Sequence, residues 1–288
     1  MIVLDGLVVV DKAAGWTSHD VVAKLRGILH TKKVGHSGTL DPDATGVLLI
    51  GVGRVTRLLR FLTVLPKTYT GEVVLGVSTS TLDASGDVVA THDMQVTLDD
   101  VRAAAAGLTG DILQVPPMVS AVQIDGKRLH ELARAGIEVE REPRPVTVHR
   151  FDVEPTADPL IYRIVVDCSS GTYVRSLAAD LGAALGGGGH LRHLRRTAIG
   201  SFTLAEARQI EAVSDDAVLA PVVALRDYPI VTADSALVAN GKVLARAQLG
   251  VDGDGPWAVV DADGNLLAMY ESHRGDTVKP AVVIAVIA

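Results

Sequence analysis

Apolar residues follow two rhythms along the 288-residue chain. Unbroken runs of strand length, GLVVVDK from Gly6 and GVLLIGVG from Gly46, predict buried strands. Other segments repeat at helical spacing. TSHDVVAKLRGILH sets Val21, Val22, Leu25, Ile28 and Leu29 on one face, and Thr17 with Asp20 fits a capping box. RVTRLLRFL predicts a helix with Arg54, Arg57 and Arg60 along its polar side. LDDVRAAAAGL, capped by Thr97 with Asp100, predicts another, as does GKRLHELARAG, closed by Gly136. TYVRSLAADLGAAL turns Val174, Leu177, Ala178 and Leu181 inward. TYTGEVVLGV, VTVHRFDVE and LIYRIVVDC predict strands, the last two from their alternation. Strands and helices mix without strict β–α–β order. The fold class is therefore α+β, a mixed, mostly antiparallel sheet flanked by helices. The glycine run at 186–189 reads as a flexible joint before HLRHLRR.

After about residue 215 the pattern changes. Residues 229–288 hold short strands and turns, with Asp263-Gly264 between two apolar runs as a hairpin signal. They form a small β-rich appendage to a main domain of residues 1–215, too small to stand well alone. The terminal AVVIAVIA reads as a buried strand, far too short to span a bilayer. The first residues lack a basic segment and a long apolar run, so no signal peptide is expected. Composition is 48% hydrophobic but only 3% aromatic, so aliphatic side chains must build the core. One cysteine, Cys168, permits neither an intrachain disulfide nor a cysteine-based zinc site, which suits a reducing cytoplasm.

The net charge of −7 argues against nucleic-acid binding until its distribution is read. Residues 1–80 carry +3, residues 121–150 carry +1 and residues 171–200 carry +3, leaving −14 on the remainder. Brought together, these segments would make one anion-binding face. On charge alone, ordinary scatter of surface charge is the better account of these numbers.

The loop GHSGTLDPDATG, Gly35 to Gly46, crowds a histidine, two aspartates and three hydroxyls between glycines. Its DPDATG has the opening spacing of a calcium loop, but Pro42 and the lack of a glutamate twelve residues in oppose that. No Gly-x-Ser-x-Gly elbow accompanies it, and no phosphate-cradling fingerprint is complete. What remains is a carboxylate, Asp41, stiffened by Pro42. A capping aspartate in an Asp-Pro turn would look the same.

Six blocks in order supply more. The loop resembles the catalytic motif G-H-x-G-x-L-D-P-x-A-x-G-V-L of the TruB family of tRNA pseudouridine synthases. DKAAGWTSHDVV is similar to that family's opening motif, with Lys12, Gly15 and Ser18 in place. KTYTGEVVLG resembles its tyrosine motif and PPMVSAVQIDGKRLHELARAG its Pro-Pro segment. CSSGTYVRSLAADLG resembles its arginine motif and HLRHLRRTAIGSF its L-R-R segment. Ala13 replaces a proline, Val119 an aromatic and His130 a tyrosine; none of these removes a catalytic group.

The resemblance implies a pseudouridine synthase fold with a PUA-like RNA-binding domain at 229–288 and a mobile RNA-binding thumb at about 123–146. It implies isomerisation of uridine-55 in the TΨC stem-loop of tRNA, after base flipping, with no cofactor and no metal. Asp41, Tyr69 and Arg175 are the implied catalytic residues, with Arg175 pairing Asp41. His36 is implied beside the flipped base and Leu194 in the pocket wall. Tyr173, Lys12, Lys32, Lys33, Lys127, Arg128, Arg195 and Arg196 are the further candidates for RNA contact, and Arg192 adds charge beside them. The implied partner is tRNA, with no protein partner and no membrane, for a cytoplasmic monomer. A guide-RNA-dependent pseudouridine synthase and a non-catalytic tRNA-folding chaperone are the competing readings.

Overall fold

The computed structural model describes residues 4–120, 123–124, 126–238 and 240–284, except for the side chains of Ile124, Arg128 and His130. Two compact units divide the chain. One comprises residues 1–42, 46–64 and 200–288, the other residues 43–45 and 65–199.

In the first unit, Gly46–Val52 of the strand Thr45–Val52 is flanked by antiparallel partners, Gly6–Lys12 and Val34–Ser37. The register aligns Gly6 with Val52 and Lys12 with Gly46 on one side, and His36 with Ile50 on the other. The helix Ser18–Ile28 begins at the capping box of Thr17 and Asp20, and its Val21, Val22 and Leu25 join Val8, Val10, Leu48 and Ile50 in one apolar cluster. Leu25 is fully buried, and burial of such a side chain contributes roughly 2 kcal/mol. RVTRLLRFL departs from the expected α-helix. Gly53–Leu58 is a 3₁₀ helix and only Leu59–Thr63 is α-helical. The three-residue spacing of Arg54 and Arg57 suits the threefold turn of the 3₁₀ helix, which aligns i and i+3 side chains; Arg60 lies in the α-helical turn. Arg54 and Arg57 donate to the carbonyls of Ile284 and Val283.

The same unit holds the C-terminal β-rich domain. Its five strands run in the order Ile230–Thr232, Trp257–Val260, Leu266–Ser272, Thr277–Val283, Leu244–Ala245. All pairs are antiparallel except the first. Trp257, Tyr270, Val259 and Val278 build its core. Asp263 and Gly264 lie in the turn between the second and third of these strands, with Gly264 at φ 82°. The last four residues of AVVIAVIA lie outside the described residues.

In the second unit five antiparallel strands run in the order Gly189–Ile199, Lys67–Leu75, Ile161–Cys168, Arg144–Pro155, Gly110–Gln114. The helix Val174–Ala184 packs on the first of these and Leu98–Gly107 on the fourth. The capping box of Thr97 and Asp100 and the inward set Val174, Leu177, Ala178 and Leu181 are both present. The expected thumb helix is shorter than its sequence block. Lys127–Arg128 pairs with Gln123–Ile124 as a two-residue ladder, and the helix is Leu129–Arg134.

The glycine run is not a loose joint. A Cβ on Gly189 would lie 2.8 Å from the backbone oxygen of Ala178, and one on Gly188 would meet the Ser78 hydroxyl. Gly189 is already the first residue of a strand. These glycines permit close packing.

Candidate active site

The Asp41 loop is built by its neighbours in the first unit. Leu40 is a buried anchor, while Asp41 is half-buried and Pro42 is exposed. Both peptide groups of Leu40 are held by Ser18, whose hydroxyl accepts from Leu40 N at 2.9 Å and donates to Leu40 O at 3.3 Å. On the other side of Asp41, the Pro42 carbonyl accepts from Gly15 N and from Lys12 Nζ, each at 3.0 Å. Lys12 donates also to Ala13 O and Trp16 O. The opening motif therefore clamps the residues before and after the carboxylate. Lys12, expected among the RNA contacts, is only 1% exposed, with its ammonium on these carbonyls.

His36 is half-buried on its strand, with its ring edge-to-face on His19 at 5.3 Å between centroids. Lys32 and Lys33 are exposed just before that strand.

Tyr69, Arg175, Leu194, Tyr173, Lys127, Arg128, Arg195 and Arg196 all fall in the second unit. Tyr69 lies on the Lys67–Leu75 strand opposite Val166 on one side and Arg196 on the other. Arg196 is 1% exposed, which also removes it from the surface set. Lys67 shares Tyr69's face of the strand, because side chains alternate. It is 7% exposed, with Nζ donating to Leu65 O at 2.6 Å. Burial and the nearby Arg196 guanidinium push the Lys67 ammonium down to about 8. Cys168, opposite Lys67, is pushed up to about 11 by burial, so its thiol stays protonated and is a poor nucleophile.

Arg175 begins the Val174–Ala184 helix at 5% exposure. Its guanidinium donates to Thr81 O at 3.0 Å and to Val119 O at 2.8 Å, and Nη1 lies 3.4 Å from Asp83 Oδ2. Val119 contributes its carbonyl, so its departure from the family's aromatic leaves this bond intact. Asp83 is in turn fixed by Thr81 Oγ1 at 2.7 Å and by Ser85 N at 3.0 Å. Asp83 and Lys67 were not singled out by sequence. The one signal for Asp83 was the hydroxyl-rich turn TSTLDASG, which reads as ordinary loop chemistry.

Tyr173 is half-buried and serves as N-cap of that helix. Leu194, also half-buried, sits at the register shift between Arg192 and Arg195. Arg195 donates to Thr45 Oγ1 at 3.2 Å, and Arg192 is tied to Glu72 at 2.6 Å. Lys127 is exposed on the thumb ladder, and the side chain of Arg128 lies outside the described residues. Among the described residues no three metal-ligating side chains cluster, and no helix is long and apolar enough to cross a membrane.

Residues 26–174 match the family model for the TruB family pseudouridylate synthase N-terminal domain, and residues 175–227 match that for the tRNA pseudouridylate synthase B C-terminal domain. The tRNA pseudouridine synthase B of Mycobacteroides abscessus is 47% identical over 290 residues, covering 97% of this chain and 96% of that protein. The protein of the same name from Streptomyces coelicolor is 46% identical over 292 residues, covering 96% and 97%. Among solved structures, a chain of a Cbf5-Nop10-Gar1 complex is similar at a TM-score of 0.74 and 26% identity, covering 95% of this chain and 80% of that one. The chain belongs to the TruB family of pseudouridylate synthases.

Proposed function

We propose that this chain converts uridine-55 in the TΨC stem-loop of tRNA to pseudouridine, with Asp41 as the catalytic carboxylate. The observation that carries the reading is identity of 47% and 46%, over nearly the whole chain, to proteins named tRNA pseudouridine synthase B. The clamped loop supports it. A carboxylate whose two flanking residues are fixed loses little orientation entropy when a reacting base arrives.

The reaction breaks the bond from N1 of uracil to C1′ of the ribose and forms one from C5 to C1′. The C5 proton leaves and N1 gains one, so no electrons enter or depart. Asp41 supplies a carboxylate, with its negative charge and nucleophilic oxygen, to the reacting uridine. Arg175 serves as its cationic partner in the reaction. Tyr69 offers a flat face to the flipped uracil and a phenol near the C5 proton. His36 fills the place the base leaves in the RNA loop. Leu194 borders the base. Lys32, Lys33, Lys127 and Arg195 meet phosphate, with residues 123–146 as the thumb and 229–288 as a PUA-like RNA-binding domain appended to a catalytic domain of residues 1–215.

The test is tritium release from C5-labelled uridine in transcribed tRNA, with this chain as the only protein. Release is expected, and substitution of uridine-55 in the transcript should abolish it. A requirement for a guide RNA, or binding without release, would overturn the proposal.

A further inference from the structure

Arg175 stands at the second position of a helix that has no side-chain cap of its own: Tyr173 occupies the N-cap, and its side chain makes no capping bond. The first N–H groups of a helix need partners from elsewhere. Here the partner comes from Gln114, the last residue of the strand Gly110–Gln114. Its side-chain carbonyl accepts from Tyr173 N at 2.7 Å, and its amide Nε2 donates to Tyr173 O at 3.1 Å. Gln114 is 2% exposed. One amide thus meets both polar groups of the peptide segment from which Arg175 departs, as a neighbouring strand would. Ser176 Oγ adds a bond to Val115 O at 3.0 Å, and Arg175 itself reaches Val119 O on the same segment.

We infer that Gln114 is a positioning residue for Arg175, setting the guanidinium through the backbone of Tyr173 without touching RNA. The inference rests on the proposed catalytic role of Arg175. A guanidinium on a long side chain reaches its target only if the helix start that carries it is fixed. Two bonds to one residue, made by a planar amide, fix both its position and its rotation. Glutamine is the side chain suited to this, because it offers one donor and one acceptor on a single plane at the necessary reach. Methionine matches its length with neither. Glutamate has the acceptor, and regains the donor only when protonated.

The test is single-turnover pseudouridine formation at saturating enzyme, with tRNA affinity measured alongside, for Gln114→Met, Arg175→Lys and the double variant. Gln114→Met should slow the chemical step by roughly ten- to a hundredfold while tRNA affinity stays within about twofold. In the Arg175→Lys background the same change should cost less than about threefold, because both substitutions damage one interaction. Full multiplication of the two effects, or a Gln114→Met rate within about twofold of wild type, overturns the inference. If Arg175→Lys alone matches wild type, Arg175 acts by charge alone and no fixed guanidinium is needed, an outcome distinguishable from a failure of Gln114. Gln114→Glu guards against a variant that merely misfolds. Its rate relative to wild type at each pH should rise as pH falls from about 8 to about 5.5, as the protonated carboxyl again donates to Tyr173 O. A ratio that does not change with pH overturns the inference.

Discussion

Among the partners of Arg175 are the carbonyls of Thr81 and Val119 and the carboxylate of Asp83, and it is only 5% exposed. Such a site depends on the shape of the cation. A lysine ammonium is a point charge with a stronger hydration shell and no planar fork. Arg175→Lys should therefore lower the single-turnover rate about thirty- to a hundredfold, roughly 2–3 kcal/mol, while tRNA affinity changes little. A variant within threefold of wild type would show that charge alone suffices. Lys67 yields a second expectation. Its folded-state value of about 8 lies below the usual 10.5, because burial and Arg196 both oppose its charge. Between those two values the unfolded chain binds the extra proton, so stability should rise with pH there. The urea midpoint of the wild type should gain on that of Lys67→Met as pH climbs from about 8 towards 10, with no such gain below 8. A flat difference would contradict the assignment. Neither Lys67 nor Asp83 was legible in the sequence. Lysine beside a strand start and aspartate in a hydroxyl-rich turn are ordinary locally, and their surroundings come from distant segments.

At the scale of elements, local chemistry was readable wherever it was self-contained. Both capping boxes, Thr17 with Asp20 and Thr97 with Asp100, form as their spacing requires. The alternation in Ile161–Cys168 matches its buried positions, Tyr162, Ile164, Val166 and Cys168. Elements that depend on partners were misread. The glycines at 186–189 look flexible alone, yet Gly188 packs against Ser78 and Gly189 against the backbone of Ala178. Lys12 and Arg196 look like surface cations, yet both are buried. Ser18 shows how an element acts at a distance. It begins a helix and clamps Leu40, next to Asp41. Ser18→Ala would leave both Leu40 groups without this partner, at a cost of about 1–3 kcal/mol. Chemical denaturation should show that loss, and the single-turnover rate should fall with tRNA affinity preserved. An unchanged rate would mean that the loop holds Asp41 without Ser18.

For the whole molecule, charge is unevenly distributed along the chain. The chain carries −7 overall, and residues 229–288 alone carry −3, while the segments that bear the proposed site are basic. Affinity for tRNA should fall steeply with salt, since each phosphate neutralised releases counterions. Removing residues 229–288 should weaken binding more than it slows chemistry at saturating enzyme. A truncated chain that binds as tightly as wild type would deny that domain an RNA contact.

The central claim is that Asp41 performs the isomerisation. Its most direct test is tritium release from C5-labelled uridine in transcribed tRNA by Asp41→Asn, in single turnover at saturating enzyme. The amide keeps the size and one acceptor oxygen of the carboxylate, and removes its charge and nucleophilicity. The account predicts no detectable release, with tRNA affinity within a few-fold of wild type. Release faster than about a hundredth of the wild-type rate would contradict it.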